Sequence, residues 1–296
     1  MLKDRKIKKC IALEKYQTND IRIWKERINV NSESILLVLG SRIHLTFECS
    51  EEYKKKVRDI FENFQQNDDF HYENDTYIYM NQEKIEVQLN NTRKTFSGYL
   101  KTDIYPIMYS IVYELARSNG GVGVHSVAVE KKNKVILIFG DYGVGKSTLA
   151  LSFEKMGWNI ISTDQTIIKK KSNQLQIISG SKYMKYKDKC LYYKGVSQRE
   201  NRINMIVGIK GLANNGEVNV FHNTRSISRV LWDHCVWPWN TLICGYSMIN
   251  DFKKNENMEA IKKVLSDVNT PLYYVRGDSD GVRDMLIELN DRIIKS

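Results

Sequence analysis

The stretch VHSVAVEKKNKVILIFGDYGVGKSTLALSFEKMGWNIISTDQTII, residues 124–168, decides the fold. β-Branched runs on either side of a polar turn predict a β-hairpin at 122–139. Residues 140–147 then spell glycine, four residues, and glycine-lysine-serine, and the apolar spacing that follows predicts an amphipathic helix ended by Gly157. A short buried strand is expected next, with Asp164 at its carboxyl end. This order of strand, glycine loop, helix and strand predicts an α/β domain that holds a phosphate.

The glycine loop has the residue types that phosphate binding needs. Its glycines allow sharp turns that point backbone N–H groups at phosphate oxygens, and the following helix adds its positive end. Lys146 can reach the β- and γ-phosphates, and the Ser147 hydroxyl can bind a magnesium ion that bridges them. A glycine-rich turn with no ligand is the alternative interpretation. The predicted nucleotide-binding residues are Gly140, Asp141, Gly143, Val144, Gly145, Lys146, Ser147 and Thr148.

Two residues that flank the loop are candidates for its chemistry. Asp164 follows Lys146 by 18 residues and His125 precedes it by 21. A carboxylate at position 164 can bind magnesium, directly or through water, or accept a proton from an attacking hydroxyl. A turn-capping role for Asp164 and a purely structural role for His125 are the alternatives.

These residues together resemble the catalytic domain of HPr serine kinases, P-loop proteins that share their fold with phosphoenolpyruvate carboxykinases. That family has a histidine on the strand before the loop, a loop of the form G-D-S-G-x-G-K-S, and a strand that ends in two adjacent aspartates. The residues matched here are His125, Gly140, Asp141, Gly143, Gly145, Lys146, Ser147 and, for the second aspartate, Asp164. The resemblance implies a mixed sheet in this domain.

The chain departs from that family at two points. Thr163 stands where the family has the aspartate assigned as acid or base. Asp164 alone, Asp164 with His125, or positioning and charge neutralisation without a dedicated base are the three mechanisms that this leaves open. The family's glycine-rich signature, with its magnesium-binding glutamate, has only a faint echo in VGIKGLANNGEV, residues 207–218.

The resemblance implies a kinase that uses ATP and Mg²⁺ and phosphorylates a serine-like hydroxyl. The acceptor is a peptide, protein or small molecule, and peptide tailoring of the lasso-peptide type is one form of such chemistry. Ser147 and Asp164 are the expected metal ligands.

A family kinase needs an arginine near the transferred phosphate, and Arg225 and Arg229 are the candidates for this role. A surface ion-pairing role is the alternative for either of them. A homo-oligomer is a further implication. The rival hypothesis is a regulatory nucleotide-binding module without transfer.

The rest of the chain predicts two domains. Strand-like runs, alternating segments and two helix-like stretches suggest a small α/β lobe over residues 1–119, ahead of a P-loop domain over residues 120–296. Further strands are expected between 174 and 220, followed by a helix, a strand and a closing helix.

Composition narrows the class of protein. The chain has 296 residues, 42% of them hydrophobic and 27% charged, with a net charge of +10, as in an ordinary globular protein with a basic surface. Its five scattered cysteines show no metal-binding spacing and favour reduced thiols. We find no apolar run of membrane-spanning length, no signal peptide and no nucleic-acid-binding motif, and we therefore expect a cytoplasmic protein without membrane or specific nucleic-acid partners.

Overall fold

The computed structural model describes residues 34–64, 74–89, 92–187, 189–193, 195, 201–212, 217–222, 226–240 and 254–295. The chain divides into two compact units. One consists of Met1–Leu115 with Pro238–Asn250, and the other of Ala116–Trp237 with Asp251–Ser296. The domain boundary at residue 119 stays a prediction.

The described part of the first unit is a five-stranded sheet with two helices. Strands β1 to β5 lie in sequence order across the sheet, and only β2 and β3 run parallel. The predicted antiparallel pair around residues 81–83 is confirmed, whereas the parallel pair was not predicted. The elements are β1 (Ser34–Val38), β2 (Ser41–Glu48), α1 (Glu51–Glu62), β3 (Asn74–Asn81), β4 (Lys84–Leu89), β5 (Thr92–Ser97), a 3₁₀ turn (Lys101–Asp103) and α2 (Ile104–Ser118).

Alternation along these strands separates an apolar face from a polar one. Ile43 and Leu45 are fully buried, whereas the residue between them, His44, lies on the opposite face, where its ring stacks on that of Tyr77. Phe64, two residues after α1, packs against Tyr109 of α2, with ring centroids 5.6 Å apart. The strands therefore contribute alternate residues, all on one face of the sheet, to the apolar core of this unit.

The second unit is built on a mixed sheet of seven strands in the described chain, in the order β13-β14-β12-β7-β6-β8-β9. The first strands and helices are β6 (Gly121–Lys131), β7 (Lys134–Phe139), α3 (Lys146–Lys155), β8 (Asn159–Lys171), β9 (Gln174–Ser181), β10 (Tyr183–Tyr186), β11 (Lys189–Tyr192) and β12 (Asn201–Leu212). They are followed by β13 (Asn219–His222), α4 (Ile227–Asn240), α5 (Lys254–Leu265), β14 (Leu272–Gly277) and α6 (Ser279–Lys295). An α/β architecture with a mixed sheet is what the sequence predicted.

The predicted hairpin before the glycine loop is confirmed. β6 and β7 pair antiparallel up to Lys131 and Lys134, and the two turn residues between them have positive φ. Because β6 lies between β7 and β8 and runs antiparallel to both, β7 and β8 have the same direction. Helix α3 therefore connects two parallel strands across one intervening strand.

The sheet also closes on itself at one place. The first residues of β12, Asn201 and Arg202, pair with β9, while the rest of β12 pairs with β7. Strands β12, β7, β6, β8 and β9 thus form a ring. Helix α3 packs on one side of the sheet, where Phe153 meets Trp158 edge to face, and α6 packs beside it.

One prediction about β8 is wrong. The strand was expected to end at Asp164, but it continues to Lys171. Asp164 therefore lies within the strand rather than at its carboxyl end.

Candidate phosphate-binding and catalytic site

The glycine loop connects the end of β7 to the start of α3. Gly140 and Gly145 have φ of 153° and 107°, in a region that side-chain-bearing residues rarely adopt. A Cβ atom on Gly145 would also lie 2.8 Å from the Leu212 side chain, and one on Gly140 would lie 3.2 Å from the carbonyl oxygen of Ile209. The backbone therefore needs glycine at both ends of the loop, and the end of β12 forms its wall.

Lys146 is the first residue of α3 and is only 7% exposed. Its Nζ donates hydrogen bonds to the carbonyl oxygens of Gly140, at 2.8 Å, and Asp141, at 3.0 Å. Burial lowers the pKa of the Lys146 ammonium below its ordinary value, and the negative charges of Asp164 and Asp141 offset part of that shift. The loop backbone therefore surrounds the Lys146 ammonium. Asp164 is close enough to affect the pKa of that ammonium electrostatically.

The other predicted loop residues fall into an inner and an outer group. Val144 packs against the core cluster under the sheet, and Ser147 and Thr148 are half-buried in the first turn of α3. Asp141 and Tyr142 are exposed. N–H groups in the first turn of a helix bind anions, so an incoming phosphate would meet Ser147 and Thr148 there.

Asp164 lies in a bulge of β8. Thr163 pairs with Ser181 of β9 and Thr166 pairs with Gly180, so two residues of β8, one of them Asp164, have no counterpart on β9. Asp164 has φ of 46°, a left-handed conformation that aspartate tolerates better than most residues. Bulges re-aim side chains next to functional sites.

The bulge brings Asp164 to His125. His125 of β6 lies opposite Gln165 of β8, so in a regular strand Asp164 would point to the other face of the sheet. The left-handed turn overrides that alternation, and Nε2 of His125 lies 3.1 Å from Oδ1 of Asp164. The histidine side chain is 5% exposed and that of the aspartate 47%. The pair thus has a buried member that orients and an accessible member that can meet a ligand.

The Thr163 hydroxyl contacts backbone carbonyls of neighbouring strands. The residue is fully buried, and its hydroxyl donates a 2.9 Å hydrogen bond to the carbonyl oxygen of Ser181 and lies 2.5 Å from that of Tyr183. The side chain therefore anchors β8 to the start of β10. A hydroxyl that is already committed to backbone carbonyls is not available as a base.

The two arginine candidates differ in what the structure shows. Arg225 lies outside the described residues. Arg229 is exposed in the first turn of α4, and its side chain has no ion-pair partner within the described part of the chain. Further along α4, His234 contacts Phe139, the last residue of β7, with ring centroids 4.9 Å apart. Helix α4 therefore passes beside the strand that leads into the glycine loop.

Lys210 is a site residue that the sequence analysis missed. It is the extra residue of a bulge in β12, because Ile209 pairs with Val275 and the next pair joins Gly211 to Arg276. Its Nζ lies 4.2 Å from the ring centroid of Tyr274, a cation–π distance. Ile209, its neighbour in the chain, and Leu212 wall the loop, which makes Lys210 a candidate second cation for the site. Its position within residues 207–218, which faintly echo the family signature, was the signal available in the sequence.

The residues present fit a magnesium ion of the kind that nucleotides bring with them. No cluster of three or more metal-ligating side chains occurs among the described residues. Mg²⁺ in nucleotide sites is held by one or two protein oxygens together with phosphates and water. The half-buried Ser147 hydroxyl and the accessible Asp164 carboxylate are oxygen donors of this type.

Comparisons with known proteins do not place the chain in a family. No protein-family model matches the chain, and no curated protein matches it. A search of solved structures found, among others, the Hpr(Ser) kinase/phosphatase from Coxiella burnetii, at 14% identity and a TM-score of 0.31 over 58% of this chain and 95% of that one. In the part of the chain that the structure describes, no helix is both long enough and apolar enough to cross a membrane.

Proposed function

We propose that the protein is an ATP- and magnesium-dependent kinase that transfers the γ-phosphate to a serine-like hydroxyl. The observation that carries the proposal is the bulge in β8, which turns Asp164 onto His125 and within electrostatic reach of Lys146. A phosphate loop alone predicts binding. An oriented, accessible carboxylate next to that loop adds a group that can accept a proton.

Each residue of the site has a part in the proposed reaction. The loop N–H groups and Lys146 would hold the β- and γ-phosphates, and Ser147 and Asp164 would hold Mg²⁺. When bound, the metal would neutralise phosphate charge. Lys210 would add a second positive charge, in the role for which the sequence suggested Arg225 or Arg229.

The transfer step uses Asp164 as the base and His125 as its support. The acceptor oxygen forms a bond to the γ-phosphorus, the bond from that phosphorus to the bridging oxygen of ATP breaks, and ADP leaves with the electron pair. The hydroxyl proton passes to the carboxylate of Asp164. His125, which is buried, keeps the carboxylate in position through its 3.1 Å contact.

A regulatory nucleotide-binding module is the second candidate. The observation that favours it is Thr163, whose buried hydroxyl is held by backbone carbonyls where the HPr serine kinases have a carboxylate. In this alternative Asp164 serves only to bind metal. The loop would then bind ATP without passing its phosphate on.

Incubation with γ-labelled ATP and a panel of peptide, protein and small hydroxyl acceptors separates the two candidates. The kinase proposal expects label in an acceptor, and Lys146→Ala should abolish it because the phosphates lose their buried cation. Lys155→Ala, at an exposed position of the same helix, is the matched control and should behave as the wild type. ATP binding by the wild type with no acceptor labelled would favour the regulatory module.

A further inference from the structure

We propose that the hairpin β10–β11 is a docking surface for an acidic, extended segment of a polypeptide acceptor. The inference rests on the proposed function and names the class of substrate. Its first support is position. The hydroxyl of Thr163 contacts the carbonyl oxygens of Ser181 and Tyr183. These contacts hold the start of β10 against Thr163, which precedes Asp164 in β8. A chain bound along the hairpin would therefore extend from the strand that carries the proposed base.

The hairpin is rigidly attached to the domain. Met184 of β10 is 3% exposed and belongs to the core cluster beneath the large sheet, and Tyr193 packs against the same cluster. The backbone N–H of Tyr193 also donates a 2.8 Å hydrogen bond to the carbonyl oxygen of Lys182. A surface held at both ends can orient a bound chain without first having to become ordered.

The exposed side chains that the structure describes on the hairpin are basic and aromatic. Residues 182–194, KYMKYKDKCLYYK, contain five lysines, four tyrosines and a single aspartate. Lys187 and Lys189 are exposed, Lys187 lies 5.7 Å from the centroid of the Tyr186 ring, and Tyr192 is 74% exposed. Tyrosine is enriched at recognition surfaces, where its ring supplies contact area, and neighbouring cations select a partner of opposite charge.

Strand geometry favours an extended polypeptide as the occupant. Within the described residues β10 and β11 form a sheet of two strands, so the outer side of β11 (Lys189–Tyr192) is a sheet edge in that part of the chain. An extended peptide can add to such an edge as a further strand through main-chain hydrogen bonds, and its carboxylates would then face Lys187 and Lys189. A single-stranded nucleic acid shares the negative charge but has no amide groups to continue the ladder.

The charge reversal Lys187→Glu/Lys189→Glu tests the docking surface by binding rather than by catalysis. The probe is a short fluorescein-labelled peptide of alternating glutamate and serine, followed by fluorescence anisotropy at several salt concentrations. We expect the wild type to bind it, more weakly as salt rises, and the double variant to bind about tenfold more weakly or worse. Lys262→Glu/Lys263→Glu, which reverses two adjacent exposed lysines of α5, is the control and should change the affinity less than about twofold.

Three outcomes would overturn the inference. They are equal affinity in the wild type and the hairpin variant, an equal loss in the α5 control, and hairpin-dependent binding of a short oligothymidylate that is tighter than that of the peptide. The last would assign the surface to nucleic acid. Binding of a fluorescent ATP analogue is measured in parallel on all three proteins. Failure of the wild type to bind that analogue would contradict the proposed function. The anisotropy result would still test whether the hairpin binds the peptide.

Discussion

Each unit of the protein contains a histidine–aspartate pair of nearly the same length, with different surroundings. In the second unit, Nε2 of His125 lies 3.1 Å from Oδ1 of Asp164, and in the first unit Nε2 of His44 lies 3.0 Å from Oδ1 of Asp75. Both histidines are buried. Asp75 is also held by Arg42, whose Nε and terminal nitrogen lie 2.8 and 3.2 Å from its two oxygens.

The difference lies in what else holds the aspartate. Asp75 sits in a regular strand and meets a guanidinium in a forked arrangement that occupies both carboxylate oxygens. Asp164 has a left-handed backbone, a 47% exposed side chain and a buried lysine nearby. The same pair of side chains is therefore a structural ion-pair network in one unit and a candidate catalytic pair in the other, and strand irregularity is what distinguishes them.

The largest effect should come from Asp164→Asn. An amide keeps the shape of the side chain but cannot accept the proton, so we expect turnover to fall by about a hundredfold or more while nucleotide affinity changes less than about threefold. Labelled-phosphate transfer and fluorescent-nucleotide titration measure the two quantities. Asp75→Asn is the matched control and should leave turnover unchanged. Equal turnover in Asp164→Asn and the wild type would remove Asp164 from the mechanism.

Of the two histidine–aspartate pairs, only that of the second unit lies near the glycine loop. The substitution Gly145→Ala should distort this loop. The added methyl group would lie 2.8 Å from the Leu212 side chain at a φ of 107°, so we expect a loss of about 2 kcal/mol in folding or nucleotide-binding free energy. Gly143→Ala is the control, because its φ is also positive but its Cβ would meet open space. A Gly145→Ala loss no greater than that of Gly143→Ala would show that contact with Leu212 is unimportant.

Much of the candidate site was predictable, and what was missed has one cause. The loop pattern predicted that Lys146 and Ser147 lie at the start of a helix, because that placement follows from local backbone geometry. The conformation of Asp164 and the placement of Lys210 arise from bulges, which exist only relative to partner strands that are distant in sequence. For that reason the apolar run at 158–162 predicted a strand but did not reveal that it continues past Asp164. In the first unit the parallel pairing of β2 with β3 escaped prediction for the same reason.

Asp75→Asn should act on stability. Burial raises the pKa of the Asp75 carboxyl, but the hydrogen bonds and charges of His44 and Arg42 outweigh it, so its pKa is lowered in the folded state. The stabilisation is then fully present above the ordinary aspartate pKa of about 3.9 and is lost as pH falls through the lower folded value. We expect the variant to lose about 1–2 kcal/mol near neutral pH and to be less acid-sensitive in this range. Urea unfolding at several pH values measures both, and identical pH profiles for variant and wild type would contradict the assignment.

The smallest effect should come from Thr163→Val. Loss of the hydroxyl that anchors β8 to Ser181 and Tyr183 should cost about 1 kcal/mol of unfolding free energy. Turnover should remain, because the hydroxyl is buried and already bonded. Thr163→Ser, which keeps the hydroxyl, serves as the comparison in thermal unfolding. A large loss of turnover in Thr163→Val at wild-type stability would show that Thr163 takes part in the reaction.

The closure of the ring on β12 has a consequence for synthesis of the chain. Ile209 and Leu212 of β12 wall the glycine loop, and the same strand joins β9 to β7. A nascent chain that has emerged only as far as Thr148 contains the whole predicted phosphate-binding sequence without the strand that shapes it. We therefore expect nucleotide binding to begin only after β12 has left the ribosome, which makes it a marker of closure of the ring.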